Sequence, residues 1–175
     1  SVRYQPCAQN PHKRSYRVEW EHIVPVSVIG QDRTCWAKGD PECVSAEGKP
    51  YRGRKCCQKM DAEFRRIEAD PYNIVPAIGE LNADRQNFPY SEIPDEKREY
   101  GACDFEVDTK KKIAEPAASL RGFTGRTWLY MHRIYNMSVP TEELKLYQAW
   151  ANAYPPQQWE IIRNKRIYAA IYGQE

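Results

Sequence analysis

A chain of 175 residues can bury the core of one domain without oligomerising, and we expect a monomer with a single domain over residues 1–175. Hydrophobic residues make up 41% and charged residues 29%, and no apolar run approaches the roughly 18 residues of a membrane span. These values predict a soluble globular protein and exclude a membrane-spanning one. The net charge is only +2, but its distribution is uneven, because residues 1–66 hold 13 lysines and arginines against 8 acids.

The first predicted element is a strand over Arg17–Val24, where Val18, Trp20 and His22 alternate with two glutamates. Pro25 would end it. Glu21 and His22 therefore stand side by side near the end of the strand. A histidine in this position is most often a hydrogen-bonded structural residue, so other residues must support a chemical role.

Six cysteines, at positions 7, 35, 43, 56, 57 and 103, permit three disulfides. None forms a CxxC pair, and the adjacent Cys56 and Cys57 make a poor chelate, which argues against a zinc site. Structural disulfides indicate an oxidising compartment, so we expect a periplasmic or secreted protein. The chain opens on Ser1 without a signal-like segment, and we expect that a leader was removed or that the chain was trimmed. The polar stretch 35–57 is predicted to be an irregular loop held by disulfides.

A basic cluster overlaps and follows this loop. It would attract phosphate, although a solvated loop explains the charge equally well. Only two acids, Asp61 and Glu63, fall among its members, which are Lys49, Arg52, Arg54, Lys55, Lys59, Arg65 and Arg66.

Beyond the loop, the sequence predicts a helix over 61–68 stopped by Pro71, a short strand over 73–76, and a helix over 79–87. Residues 104–108 and 113–114 form a plausible hairpin. Three helices follow, over 124–136, from Thr141 as cap to Trp150, and from Pro156 to Ile171. We expect their aromatic stripes to be core and not base-binding surfaces.

Carboxylates and amides follow the first strand in a segment that is otherwise apolar enough to fold inward. Mg²⁺ takes oxygen ligands and keeps several waters, so one carboxylate and one side-chain amide can hold it. Glu21 and Asn82 could supply these two ligands. The set comprises Glu68, Asp70, Asn73, Glu80, Asn82, Asp84 and Asn87.

The chain resembles the bacterial endonuclease I family of periplasmic or secreted nonspecific nucleases. The resemblance implies a mixed α+β, mainly helical domain built around a ββα-metal (His-Me finger) motif, with a disulfide-stapled loop. It covers about Arg17 to Ile167, and the WEHIVP and IGELNADRQNF blocks are specific together. The matching segments are RVEWEHIVPV, RTCWAKG, FRRIEADPYNIVPAIGELNADRQNFPYS, YGACDFEVD, KIAEPA, RGFTGRTWLYM and QWEIIRNKRI.

The resemblance also implies roles for individual residues. Glu21 and Asn82 would bind Mg²⁺, for which Mn²⁺ or Ca²⁺ could substitute, and His22 would be the general base. Arg54 would contact the scissile phosphate, with Arg52 as the competing candidate. Glu68 would lie beside the site.

These roles match the needs of phosphodiester hydrolysis. A metal neutralises charge that develops on the phosphate and on the leaving 3′-oxygen, and a histidine, which ordinarily titrates near pH 6.5, can take the proton of an attacking water. Because adjacent strand residues point to opposite faces, we expect a bend or bulge ahead of Pro25 to bring Glu21 and His22 together. The expected products carry a 5′-phosphate and a 3′-hydroxyl, from double- and single-stranded DNA and from RNA. Phosphate contacts are expected from Arg52, Arg54, Lys55 and Lys59.

The chain departs from the family pattern in its loop length and in its cysteines. The loop between Trp36 and Cys57 is longer than in its relatives, and some family cysteines are missing. The pairs expected here are Cys35 with Cys57, Cys43 with Cys56, and Cys7 with Cys103.

Two other classes of function remain open at this point. A secreted nucleic-acid-binding module without catalysis would bind in a salt-dependent way that does not depend on Glu21 or His22. A disulfide-rich structural protein would use the basic loop to dock an acidic partner, and Glu21 and Asn82 would then bind no metal.

Overall fold

The computed structural model describes Cys7 and residues 13–95 and 97–173. The chain forms two compact units. The first comprises the chain up to Ile23 and from Pro71 onward, and the second is Val24–Asp70. Helices predominate and two small sheets accompany them, so the predicted mixed α+β class is confirmed. None of the helices in the described ranges has the length and apolar character needed to cross a bilayer.

The first unit contains the hairpin that carries Glu21 and His22. Strand β1 (Val18–His22) pairs antiparallel with β2 (Ile74–Ile78), with Val18 opposite Ile78 and His22 opposite Ile74. Helix α5 (Gly79–Arg85) follows β2 directly. The predicted order of strand, strand and helix is correct, but β2 continues two residues past Pro76. A proline is tolerated there because a two-stranded sheet leaves one side of each strand without a ladder partner.

The rest of the first unit is largely helical. The predicted hairpin is present as β3 (Glu106–Asp108) and β4 (Ile113–Glu115). Three long helices follow it, and 3-10 helices are present at Lys13–Tyr16 and Ala118–Leu120. The long helices are α6 (Arg121–Tyr135), α7 (Thr141–Ala153) and α8 (Gln158–Tyr172).

The aromatic stripe of α6 is core, as predicted. Trp128 is buried and stacks on Tyr147 of α7, with 4.9 Å between ring centroids. Helix α6 begins at Arg121, three residues earlier than predicted. Its glycines are a packing requirement. A Cβ atom on Gly125 would lie 2.4 Å from the carbonyl oxygen of Tyr147.

The predicted starts of α7 and α8 were wrong in detail. Pro140, and not Thr141, is the N-cap of α7, and α8 begins at Gln158, two residues after Pro156. Proline fixes its own φ near helical values, so it favours a helix start without specifying the exact residue.

The second unit contains four short helices, which were only partly predicted. They are α1 (Val26–Gly30), α2 (Thr34–Ala37), α3 (Arg54–Met60) and α4 (Ala62–Glu68). The prediction of an irregular stretch over 35–57 was wrong at both ends, where α2 and α3 lie. These helices have four and seven residues, too short for a periodic apolar pattern to reveal them.

The disulfides join the six cysteines in the pairs that the resemblance implied. Cys35 bonds Cys57 and Cys43 bonds Cys56 in the second unit, and Cys7 bonds Cys103 in the first. Cys56 and Cys57 are consecutive residues of α3, so their side chains diverge by about 100° around the helix axis. This divergence lets two neighbouring cysteines reach two different partners.

A pH-dependent contribution to stability is expected at the start of α4. The carboxylate of Asp61 caps this helix by accepting the Phe64 N–H at 2.8 Å, and it also pairs with Arg33. Burial acts to raise the pKa of Asp61, but the Phe64 N–H and Arg33 outweigh it and hold that pKa below its usual 3.8. A carboxylate with a lowered pKa in the folded state stabilises the protein above its unfolded pKa, and this stabilisation is lost as the pH falls through the folded pKa.

Asp61→Asn keeps a good N-cap residue and removes only the charge. We expect the variant to be about 1 kcal/mol less stable than the parent at pH 6, with the difference vanishing towards pH 2. Urea denaturation over this pH range measures the difference, and Asp32→Asn, at an exposed position of the same unit, is the control. A difference that does not change with pH would contradict the assignment.

Candidate active site

Glu21 lies on β1 and is buried, with 8% of its surface exposed. Its Oε1 atom accepts a hydrogen bond from Nη1 of Arg85, which is itself only 1% exposed. Burial raises the pKa of Glu21 above its usual value, and the Arg85 guanidinium acts in the opposite direction. The pair is therefore a buried ion pair at the junction of β1 and α5.

Arg85 also holds the backbone at the end of β1. Its Nη1 donates to the His22 carbonyl oxygen at 2.6 Å, and its Nη2 donates to that of Ile23 at 2.7 Å. Its Nε donates to the Phe88 carbonyl oxygen at 2.9 Å, and the Tyr90 ring lies 4.3 Å from the guanidinium carbon. One side chain thus ties the end of α5 to the strand end that carries the predicted general base.

His22 is half-buried and is the last residue of β1. The bend expected ahead of Pro25 is present at Ile23, but it comes after His22. Pairing with β2 is one-to-one throughout β1, so it contains no bulge. The side chains of Glu21 and His22 therefore leave the strand on opposite sides, and the expectation that a bend or bulge brings them together was wrong.

Asn82 lies on α5 and is oriented by Glu19. Its Nδ2 donates to Glu19 Oε2 at 3.1 Å, and Arg14 holds the same carboxylate through Nη2 at 2.6 Å. The hydrogen bond from Arg14 is the main cause that lowers the pKa of Glu19 below its usual value. With its NH₂ end engaged by Glu19, the amide of Asn82 has its carbonyl oxygen Oδ1 at the other end.

Glu21 and Asn82 line the same cavity of the first unit, which has a volume of about 550 Å³. The other lining side chains are largely apolar, among them Ile78, Leu81 and Phe105. A carboxylate and an amide carbonyl are both hard oxygen donors, so this pair fits Mg²⁺. Within the described residues, no group of three or more His, Cys, Asp or Glu side chains could hold a metal, so a site here would rely on these two ligands and on water.

The second unit holds the other predicted site residues. Nε of Arg54 donates to Oε1 of buried Glu68, and Nε2 of Gln58 donates to both oxygens of that carboxylate at 3.1 and 3.0 Å. The side chain of Arg54 nevertheless remains 52% exposed. The structure thus brings Arg54 and Glu68 together, with Glu68 as the anchor of the guanidinium.

The neighbouring basic residues are held differently. Nη1 of Arg52 donates to the Ala37 carbonyl oxygen at 3.0 Å, and Nζ of Lys59 donates to the Glu42 carbonyl. Arg52, Lys55 and Lys59 are all exposed. Of the two arginines that compete for the phosphate contact, only Arg54 is held by a carboxylate in the described residues.

The sequence of the whole chain matches a known family. The family model of endonuclease I covers residues 2–174. The chain belongs to the endonuclease I family. This confirms the resemblance inferred from the WEHIVP and IGELNADRQNF blocks.

Several endonuclease I relatives are similar over most of this chain. Endonuclease-1 of Buchnera aphidicola subsp. Acyrthosiphon pisum is 39% identical over 155 residues, which is 89% of this chain and 56% of the relative. An extracellular deoxyribonuclease of Aeromonas hydrophila is 39% identical over 168 residues, which is 94% of this chain and 67% of the relative. A periplasmic deoxyribonuclease of the same organism is 37% identical over 168 residues, which is 94% of this chain and 65% of the relative. The chain thus spans 56% to 67% of the length of these relatives.

Two residues of this endonuclease I site, Glu19 and Arg85, were not predicted from the sequence. Glu19 lies two residues before Glu21, and strand alternation places both on the same face of β1. Arg85 follows Asn82 by three residues, which places it on the same face of α5 one turn later. These spacings were visible in the sequence, but only the fold shows that both residues orient the predicted metal ligands.

The buried position of Arg85 predicts a large cost of removing its charge. Arg85→Met leaves Glu21 buried without this cation and removes one donor from three carbonyl groups. We expect the free energy of unfolding to fall by about 3–5 kcal/mol, measured by urea denaturation. Arg133→Met, at an exposed position of α6, should change it by less than about 0.5 kcal/mol.

A double-mutant cycle separates the free energy contributed by the Glu21–Arg85 ion pair from the cost of lost packing. Glu21→Gln combined with Arg85→Met should cost less than the sum of the two single variants, because no uncompensated carboxylate then remains buried. Strictly additive costs would show that the two side chains do not stabilise each other.

Proposed function

We propose that this chain is a metal-dependent endonuclease that hydrolyses phosphodiester bonds without sequence specificity. One observation carries the proposal: Glu21 of β1 and Asn82 of α5 line one cavity, and His22, the last residue of β1, follows Glu21 directly. A carboxylate, an amide oxygen and an imidazole together supply ligands for a hard cation and a base for water.

The relatives support the substrate and the compartment of this proposal. Two of them are named as deoxyribonucleases, one extracellular and one periplasmic. Three disulfides are consistent with a protein that works outside the reducing cytoplasm. We therefore propose DNA as a substrate, in double- and single-stranded form, together with RNA, and a periplasmic or secreted location.

Glu21 and Asn82 would hold the metal, with Mg²⁺ as the proposed ion and Mn²⁺ or Ca²⁺ as possible substitutes. When bound, the ion supplies positive charge that stabilises the phosphate and the leaving oxygen. Glu19 keeps the amide of Asn82 in one orientation, and Arg85 keeps the carboxylate of Glu21 in place. The fixed side chains need little reorganisation when charge develops during the reaction.

His22 would act as the general base. Its neutral imidazole takes a proton from water, whose oxygen forms a bond to phosphorus as the bond from phosphorus to the 3′-oxygen breaks. The 3′-oxygen takes up a proton from solvent, which leaves a 5′-phosphate and a 3′-hydroxyl. The attacking and leaving oxygens lie on opposite sides of phosphorus in such a displacement.

In the second unit, the basic residues would bind phosphates of the nucleic-acid backbone. Arg54, oriented by Glu68, can donate two parallel hydrogen bonds to one phosphate. Arg52, Lys55 and Lys59 would add contacts that carry no sequence information, since every nucleotide has the same phosphate. Such contacts account for nonspecific cleavage.

The assignment of His22 predicts a catalytic defect without a folding defect. We expect the parent to degrade plasmid DNA with Mg²⁺ and to stop in EDTA, and His22→Ala to lower the rate by roughly 10²–10⁴-fold. His132→Ala is the matched control, because His132 lies on α6, where its ring contacts the Met137 carbonyl. Circular dichroism and urea denaturation check that each variant is folded.

The outcomes separate the proposed nuclease from a binding module. A folded parent that leaves plasmid and RNA intact in Mg²⁺ would refute the proposal. Salt-dependent binding without cleavage, unchanged in His22→Ala and Glu21→Ala, would identify a noncatalytic binder instead. Ligation of the products without prior phosphorylation tests for the 5′-phosphate.

The competing assignments of Arg54 and Arg52 to the phosphate contact predict different effects of substitution by lysine. Arg54→Lys keeps the charge but loses the two-pronged donor geometry, and we expect kcat/KM to fall at least about tenfold. Arg52→Lys should have a smaller effect, because its guanidinium already donates to a backbone carbonyl. Steady-state cleavage of a labelled oligonucleotide provides the comparison, and a larger defect in Arg52→Lys would reverse the assignment.

A further inference from the structure

Strand β1 exposes an apolar face beside the proposed general base. Side chains alternate along a strand, so Val18, Trp20 and His22 share one side and the two glutamates share the other. Val18 is 74% exposed and Trp20 is 73% exposed. A strand in a folded protein normally covers its most apolar side chains, so exposure of tryptophan here leaves an apolar patch open to a ligand.

The register of the hairpin extends this patch across the strands. Pro76 of β2 lies directly opposite Trp20 and is also exposed. Directly opposed residues of an antiparallel pair have Cβ atoms within about 5.5 Å, so the two rings are neighbours on the sheet surface. Proline has little conformational freedom, and tryptophan has only two side-chain torsions, so little entropy is lost when a flat ligand is bound.

The patch has a defined position relative to the reaction. Residues two apart on a strand are about 6.6–6.8 Å apart, so Trp20 lies one such step from His22 on the same side. A nucleic acid whose phosphate reaches His22 must place an adjacent nucleoside within a similar distance. A nucleobase has the flat aromatic faces that stack on tryptophan.

We propose that Trp20 is a base-stacking residue that binds the nucleobase next to the cleaved phosphate in single-stranded or locally unpaired nucleic acid. The inference rests on the proposed function and adds a substrate preference to it. Bases of an intact duplex are covered by their neighbours, so Trp20 favours single strands. Every base has an aromatic face, so this contact does not make cleavage sequence-specific.

Binding of labelled oligonucleotides tests the proposal directly. All variants are made in the His22→Ala background, so that the probe is not cut, and fluorescence anisotropy measures Kd for a fluorescein-labelled single strand of thymidine nucleotides and for a labelled duplex. Trp20→Ala should weaken single-strand binding by roughly 5- to 100-fold, with a change of no more than about twofold for the duplex. Trp20→Phe, which retains an aromatic face, should recover most of the affinity.

Two control variants test whether the effect is specific to Trp20 and whether it requires an aromatic ring. Tyr172→Ala removes an aromatic side chain of α8 that is 68% exposed, and it should leave both affinities unchanged. Trp20→Leu keeps an apolar side chain without an aromatic face and should bind single strands as weakly as Trp20→Ala. In addition, the unlabelled single strand should quench tryptophan fluorescence in the His22→Ala protein, and Trp20→Phe should remove most of that quenching.

The results have distinct meanings. Unchanged single-strand affinity in folded Trp20→Ala or Trp20→Leu, or an equal loss for single strand and duplex, overturns the stacking assignment. Absence of quenching overturns it as well. If Trp20→Ala, with His22 intact, cuts single-stranded DNA as fast as the parent, only this inference fails; if the protein binds single strands through Trp20 but the parent cuts nothing, only the proposed catalytic function fails.

Discussion

The guanidinium of Arg85 is the group on which the geometry of the candidate site depends. A charge this deeply buried is tolerated only when it is paired and its N–H groups are hydrogen-bonded. Glu21 supplies the opposite charge, the His22 and Ile23 carbonyls at the strand end accept from Nη1 and Nη2, and the Phe88 carbonyl accepts from Nε. The same contacts that satisfy the arginine therefore hold a predicted metal ligand and the backbone of the predicted base in one arrangement.

The two sides of β1 have different physical characters. The side that carries Glu19 and Glu21 is held by arginines, which fixes its carboxylates. The opposite side carries His22 and exposes Val18 and Trp20. A five-residue strand thus combines a rigid polar arrangement with an accessible apolar surface, and alternation of the side chains is enough to keep the two apart.

Much of this arrangement could be predicted from the sequence, because it depends on local order. Alternation around Trp20 indicated β1, and family motifs indicated the roles of Glu21, His22 and Asn82. Other features depend on contacts between distant residues. Arg85 looked like an ordinary polar residue at the end of a short helix, and its role requires knowing that β1 lies against α5. Gly125 lies inside the predicted helix, but only the close approach of the Tyr147 carbonyl oxygen shows why this position requires glycine.

The connection between β1 and β2 has about fifty residues, and it folds into a compact unit of its own with two internal disulfides. The entropy of closing a flexible connection grows only with the logarithm of its length, by about 0.6 kcal/mol for each doubling. Insertions between Lys38 and Gly53 fall within a segment whose flanking helices are already cross-linked to each other by Cys35–Cys57. This part of the chain can therefore vary in length among related proteins at little thermodynamic cost to the pairing of Val18–His22 with Ile74–Ile78.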